Sequence, residues 1–182
     1  DPGEDPKDAV VREVFEETGV RTALGVPIGV SRYTLPSGRT KIVHYWAAEA
    51  TDEAVRTSAF VPNKEIAAIE WVSMKRARKT LSYPVDVEIL ENFARLVDDG
   101  VLHTFPIIAL RHAKALKRSD WDGTDSARGL TPRGKLQAKS IVGPLMAFGV
   151  EIIVSSEAVR CLATVRPLAK TTGLTIKRTR RI

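Results

Sequence analysis

The chain has 182 residues, 43% of them hydrophobic, 27% charged and 6% aromatic, a mixture that suits one large core or two small ones and excludes a disordered chain. No apolar run nears the ~18 residues of a membrane span, the opening DPGEDPKDAV is too acidic for a signal or transit peptide, and a single cysteine, Cys161, excludes a disulfide framework. The net charge of +6 is unevenly held, with 13 basic and 17 acidic residues over 1–100 but 15 and 5 over 101–182. An acidic half suits divalent cations and a basic half suits phosphate or nucleic acid, unless both are simply solvated surfaces.

In chain order, Asp8 can cap a helix over 8–18, whose Val10, Val11, Val14 and Phe15 form an apolar stripe, and Gly19 stops it. Strands are expected over 26–34 and 41–48, around the turn Pro36-Ser37-Gly38, and a third over 68–73 with Trp71. Helices follow over 75–80 and 85–97, the second turning Val87, Leu90, Phe93 and Leu96 toward a core. Asp98-Asp99-Gly100 then breaks the pattern where the charge reverses. This divides the chain into a first domain over 1–97, a linker over 98–104 and a second domain over 105–182. Beyond the linker, 105–110 reads as a strand buried on both faces, 111–130 as a charged, glycine-bearing loop, and 131–148 as a helix opened by Thr131-Pro132. A short strand over 151–154 and a helix over 157–171, capped by Ser156, complete a parallel α/β order.

The strongest signal lies on the first helix. Glu13, Glu16 and Glu17 fall within an arc of roughly 100° opposite the Val/Phe stripe. Three carboxylates so close repel one another unless a cation compensates, and hard divalent ions want several oxygen ligands. Arg12 sits one turn before Glu16 and can orient a carboxylate. Taken alone, such a face is more often a solvated surface. However, Glu4, seven residues, then Arg12-Glu13-Val14-Phe15-Glu16-Glu17-Thr18-Gly19-Val20 resembles the Nudix box, Gx5Ex7REUxEExGU, at every specified position from Glu4 onward. The box's opening Gly and its preceding strand would lie before Asp1, so an N-terminally shortened domain is expected.

The resemblance implies an α/β/α sandwich around a mixed sheet and hydrolysis of a nucleoside diphosphate linked to another group, with Mg²⁺ or Mn²⁺. It implies Glu16 and Glu17 as metal ligands and Glu13 as a ligand or general base. Glu65, with Glu70 behind it, is the candidate for a further acid from a later loop, each being equally a surface charge. The segment Lys41–Ala48 resembles the strand lining the base pocket of MutT-type and diadenosine-polyphosphate Nudix hydrolases. Tyr45 is the substrate-binding candidate there. Alternation puts His44 on the opposite face, and core packing is the plainer account of Trp46.

In the basic half, Arg111-His112-Ala113 follows a strand directly, where open α/β sheets place their ligands. Ser155-Ser156 and Arg160 end the next strand and open a helix whose amides favour an anion. These residues, with Leu130-Thr131-Pro132-Arg133-Gly134, Gln137-Ala138 and Thr164, resemble the histidine phosphatase superfamily, with Ala for Gly in its RHG signature. That resemblance implies a partial α/β domain with a largely parallel sheet. It also implies His112 as nucleophile, with Arg111 and Arg160 as catalytic and substrate-binding groups on phosphoryl oxygens. The family's late second histidine has no counterpart among His44, His103 and His112, so a C-terminally incomplete domain is expected. Cys161 reads as a helix core residue. The run Lys177-Arg178-Thr179-Arg180-Arg181 reads as a solvated end rather than a nucleic-acid patch.

Together the two resemblances point to two-domain bacterial MutT proteins. They imply a cytoplasmic enzyme that hydrolyses 8-oxo-guanine nucleoside triphosphates and diphosphates, with no membrane partner and no stable nucleic-acid complex, a homo-oligomer being left open. The alternatives are a diadenosine polyphosphate hydrolase and a non-enzymatic nucleotide- or RNA-binding module.

Overall fold

The structure, a computed structural model, describes residues 4–180. Residues 1–3, and Arg181 of the basic run, lie outside it. The chain forms two compact units, one of Ala9–Phe105 and the other of Pro106 onward grouped with the residues before Ala9.

Helix α1 (Pro6–Thr18) starts two residues earlier than its periodicity suggests. Asp5, rather than Asp8, supplies the cap, its carboxylate accepting from the Lys7 N–H at 2.9 Å, and Pro6 takes the first helical position. The helix stops at Gly19 for two reasons. Its φ is +65°, and a Cβ there would lie 2.9 Å from the backbone nitrogens of Ala59 and Phe60.

Strands β1 (Ala23–Thr34) and β2 (Thr40–Glu49) form an antiparallel hairpin closed by Leu35 N–H to Arg39 O and Gly38 N–H to Leu35 O, both 2.8 Å. Alternation turns Val43, Tyr45 and Ala47 inward and leaves His44 stacked against Trp46 on the other face, ring centroids 5.8 Å apart. Short helix α2 (Asp52–Arg56), capped by Thr51, was not legible in the pattern. Helices α3 (Met74–Thr80) and α4 (Pro84–Asp98) follow, and α4 packs on β1 with Ile89 and Ala94 buried. Asn92 fixes its height by donating to Ile28 O at 2.8 Å. Arg78 clasps Glu91 with two bonds, tying α3 to α4.

The expected strand over 68–73 does not form, and Trp71 is 65% exposed. Alternation expresses itself as a strand only where a ladder partner exists, and among the described residues β1 and β2 pair only with each other. The sheet here is therefore an antiparallel pair rather than the expected mixed sheet.

The segment 105–110 is likewise not a strand, and all six residues are exposed. The apolar run asks for burial, but the described sheet offers it no place: β3 (Ile153–Ser156) pairs only with β4 (Ile176–Thr179), in parallel. The expected largely parallel sheet is thus this one pair. Strand β4 takes in Lys177–Thr179 of the basic run read from sequence as a solvated end. Between 111 and 130 lie two 3₁₀ turns, Arg118–Asp120 and Asp125–Ala127, and an isolated bridge of Ala115 to Leu130.

The helix expected over 131–148 divides into α5 (Pro132–Ser140) and α6 (Val142–Met146). Pro144 has no N–H to offer the Ser140 carbonyl, so the ladder breaks there. Helix α7 (Val159–Thr172) begins after Ala158, with Ser156 Oγ accepting from the Ala158 N–H rather than capping the first turn. The core of the second unit is Leu130, Ala138, Ala147, Ile153, Leu162 and Leu168.

Candidate functional site

Two constellations emerge, one in each unit. In the first, α1 presents Glu13, Glu16 and Glu17, all exposed. The Arg12 guanidinium bridges two of them, Nη2 to Glu13 Oε1 and Nη1 to Glu16 Oε2, each at 2.7 Å. It offsets their repulsion and holds both carboxyls along one line of the helix. Glu65 is on an exposed loop, its N–H bonded to Asn63 Oδ1 at 2.8 Å, and Glu70 is paired with Arg76 at 2.6 Å. Among the described residues, no three His, Cys, Asp or Glu side chains are gathered closely enough to hold a metal ion. Neither the three helix glutamates among themselves nor Glu65 with them forms a closed ligand set. The three glutamates nonetheless fit a hard divalent cation chemically: they are solvent-facing oxygen donors carrying three charges against one arginine.

A cavity of about 300 Å³ opens between the hairpin and α4. Its walls are apolar (Ile28, Leu81, Ile89, Leu90 and Phe93), with two polar groups among them, Tyr45 and Asp86. The Tyr45 hydroxyl lies 3.3 Å from Ser31 Oγ and donates to Asp86 Oδ1 at 3.5 Å. The open, almost wholly apolar lining suits the face of a flat ring, with the Tyr45–Asp86 pair at its edge. Tyr45, the substrate-binding candidate, is part of this lining. Asp86 was missed because an acid in the first turn of a helix is ordinary complement to the dipole.

In the second unit, three separate segments converge. The Ala113 N–H donates to Thr164 Oγ1 at 2.9 Å, and Thr164 Oγ1 donates to Arg160 O at 2.7 Å. Thr164 is buried at 2% exposure, so this tie is desolvated. The Lys114 N–H donates to Gln137 Oε1 at 2.9 Å, and Lys114 O accepts from both the Thr131 N–H and hydroxyl. Gly134 permits that approach, since a Cβ there would sit 2.1 Å from Lys114 O. His112 is half-buried, with Nδ1 2.8 Å from Ala113 O. A carbonyl can only accept, so Nδ1 is the donor in this contact, which leaves Nε2 as the ring nitrogen turned elsewhere. Arg111 beside it is exposed.

Arg160 donates from Nη1 to Asp125 O at 2.6 Å and from Nη2 to Asp125 Oδ2 at 2.9 Å. Arg128 takes the other carboxylate oxygen, Nε to Oδ1 at 3.1 Å. Arg128 first, then Arg160, hold the Asp125 carboxyl below its ordinary range against the opposing cost of burial. Neither Asp125 nor Arg128 was singled out from sequence. Their i, i+3 spacing inside a charged loop is the only local hint.

Residues 1–93 match the family model of the NUDIX domain, and residues 107–182 match that of the histidine phosphatase superfamily, branch 1. The chain is 38% identical over 170 residues to an 8-oxo-(d)GTP phosphatase of Mycolicibacterium smegmatis, a match covering 93% of this chain and 50% of that protein. It thus spans about half the length of the curated relative it matches. Among solved structures it is similar to SixA of Agrobacterium tumefaciens, a candidate phosphohistidine phosphatase, at 30% identity, covering 38% of this chain and 47% of that one with a TM-score of 0.35.

Proposed function

Since the chain belongs to the Nudix family, its NUDIX domain being followed by a histidine phosphatase (branch 1) segment, we propose that it hydrolyses oxidised guanine nucleotides, 8-oxo-guanosine and 8-oxo-deoxyguanosine tri- and diphosphates. The observation that carries this reading is the 38% identity to an 8-oxo-(d)GTP phosphatase across 93% of the chain. The intact run Arg12 to Val20 supports the anhydride chemistry.

Nudix hydrolases act with divalent metal ions. In our reading the ion is Mg²⁺, with Mn²⁺ as substitute, and when bound it neutralises charge on the phosphate chain. Glu16 and Glu17 would hold it, with Glu65 added if its loop approaches. Glu13 would either join them or take the proton of the water that attacks phosphorus as the bridging P–O bond breaks. The cavity beside Tyr45 is our candidate base pocket. A guanine edge offers N1–H and N2–H₂ donors, which suit the Asp86 carboxylate, and 8-oxidation adds an N7–H donor.

In the second half, we read Arg111, His112 and Arg160 as a phosphoryl site with His112 Nε2 as the nucleophilic atom. Domain limits of 1–97 and 105–182 about a linker, and the finer α/β/α sandwich of the first, belong to the same reading. No helix of the described residues is long and apolar enough to cross a membrane. A cytoplasmic place follows from the proposed substrate pool.

Product analysis with 8-oxo-dGTP, 8-oxo-dGDP, dGTP and diadenosine tetraphosphate in Mg²⁺ tests the proposal. Preferential turnover of the 8-oxo nucleotides is expected. Preference for the dinucleotide would replace it with a diadenosine polyphosphate hydrolase, and no turnover of any of them would leave a nucleotide-binding module.

A further inference from the structure

Among the described residues, Nε of Arg160 is the buried side-chain polar atom without a hydrogen-bond partner. A guanidinium presents two forks of donors, one from its two Nη groups and one from Nε with a neighbouring Nη. In Arg160 the first fork is fully engaged by Asp125, through its backbone carbonyl at 2.6 Å and Oδ2 at 2.9 Å. Of the second fork, Nε is left over. A donor removed from water and unpaired is costly, and such a group in a folded protein asks for an explanation.

The surroundings say what would satisfy it. Asp125 is shared: Arg128 binds Oδ1 through Nε and Nη2, at 3.1 and 3.0 Å, and Arg118 lies 3.9 Å from the same oxygen. Arg128 and Arg160 are 15% and 16% exposed. Three guanidiniums against one carboxylate leave an excess of positive charge, so the missing acceptor is an anion. The Thr164 hydroxyl links Arg160 O to the Ala113 N–H, which places this turn against the His112 segment. A tetrahedral oxyanion matches a two-donor fork.

We propose that Asp125 is a positioning residue of the phosphoryl-binding site, holding both Nη groups of Arg160 so that the buried Nε edge faces the oxyanion. This rests on the reading of the second half as a phosphate-binding unit. Asp125 itself does not touch the phosphoryl group. A purely structural ion pair would fix the loop equally well but would leave Nε blind to any ligand.

The test titrates inorganic phosphate into the full chain, in excess EDTA to silence metal-dependent chemistry. It follows binding by calorimetry and by the Nε–H signals of ¹⁵N-labelled arginines, that of Arg160 being assigned by its loss in Arg160→Lys. Phosphate should move the Arg160 signal, Arg160→Ala should abolish binding, and Asp125→Asn should weaken it about tenfold while the Arg160 signal stops responding. Wild-type affinity in Asp125→Asn, with binding lost in Arg160→Ala, would overturn the role of Asp125 alone. Equal binding by wild type and Arg160→Ala would overturn the phosphate-site reading itself. Should Asp125→Asn not fold, the wild-type signal decides: an Arg160 Nε–H unmoved at saturating phosphate refutes the proposal.

Discussion

In the proposed metal site, Glu16 and Glu17 do what a neutral isostere cannot. Glutamine keeps the shape and relieves repulsion on an exposed face, so Glu16→Gln or Glu17→Gln should fold normally. Turnover of 8-oxo-dGTP should nonetheless fall by roughly two orders of magnitude, as expected when a charge-neutralising ion loses a ligand. Near-normal rates in either variant would remove the helix from the metal site. Asp125 gives a second residue-level expectation, this time on stability. Its folded carboxyl titrates below the ordinary range because Arg128 and Arg160 favour the charged form. The stabilisation is therefore present at neutral pH and disappears as pH falls through that lowered value. Thermal unfolding of wild type and Asp125→Asn should differ at pH 7 and converge on acidification, with screening keeping the gap small at this half-exposed site. A gap that widens in acid would reverse the assignment.

At the scale of elements, two glycines decide where segments meet. Gly19→Ala should cost about 1–2 kcal/mol for the left-handed backbone alone, with the Ala59–Phe60 backbone adding to it. Gly134→Ala should cost more, because Lys114 O would lie 2.1 Å from the new methyl group. Urea unfolding measures both, and an unchanged midpoint for Gly134→Ala would mean α5 does not need that approach. These elements also mark what the sequence could carry. The hairpin and α4 were legible because turn chemistry and an apolar stripe are local signals. The strands over 68–73 and 105–110 failed because ladder partners are a tertiary fact, which Trp71 and Ile107 cannot announce. The break before Pro144 was written in the chain but outweighed by the apolar run around it. His112 and Arg160 were singled out through motif resemblance and Tyr45 through the strand that carries it. Asp86 and Asp125 were not, since each matters through a partner distant in sequence, Tyr45 for one and Arg160 for the other.

For the whole molecule, the proposed function divides the labour between the two constellations, and metal removal can expose it. Nucleotide hydrolysis should stop in excess EDTA, whereas phosphate binding by the second half should persist. That half contains a single histidine, His112, and a phosphohistidine cycle also needs an acid for the leaving oxygen. Phosphomonoester turnover in EDTA should accordingly be poor. Robust turnover that disappears in His112→Ala would identify a full phosphatase instead. The stretch 105–110 has a consequence of a different kind. Its backbone carries no ladder, and Phe105 and Ile107 are 79% and 85% exposed, so a protease can seat it in extended form without first unfolding either unit. Thermolysin, which cuts before bulky aliphatic residues, should nick native protein first at Ile108, while chymotrypsin is stopped at Phe105 by the proline that follows. The products expected of that scission are one fragment ending at Ile107 and one beginning at Ile108, which mass spectrometry identifies.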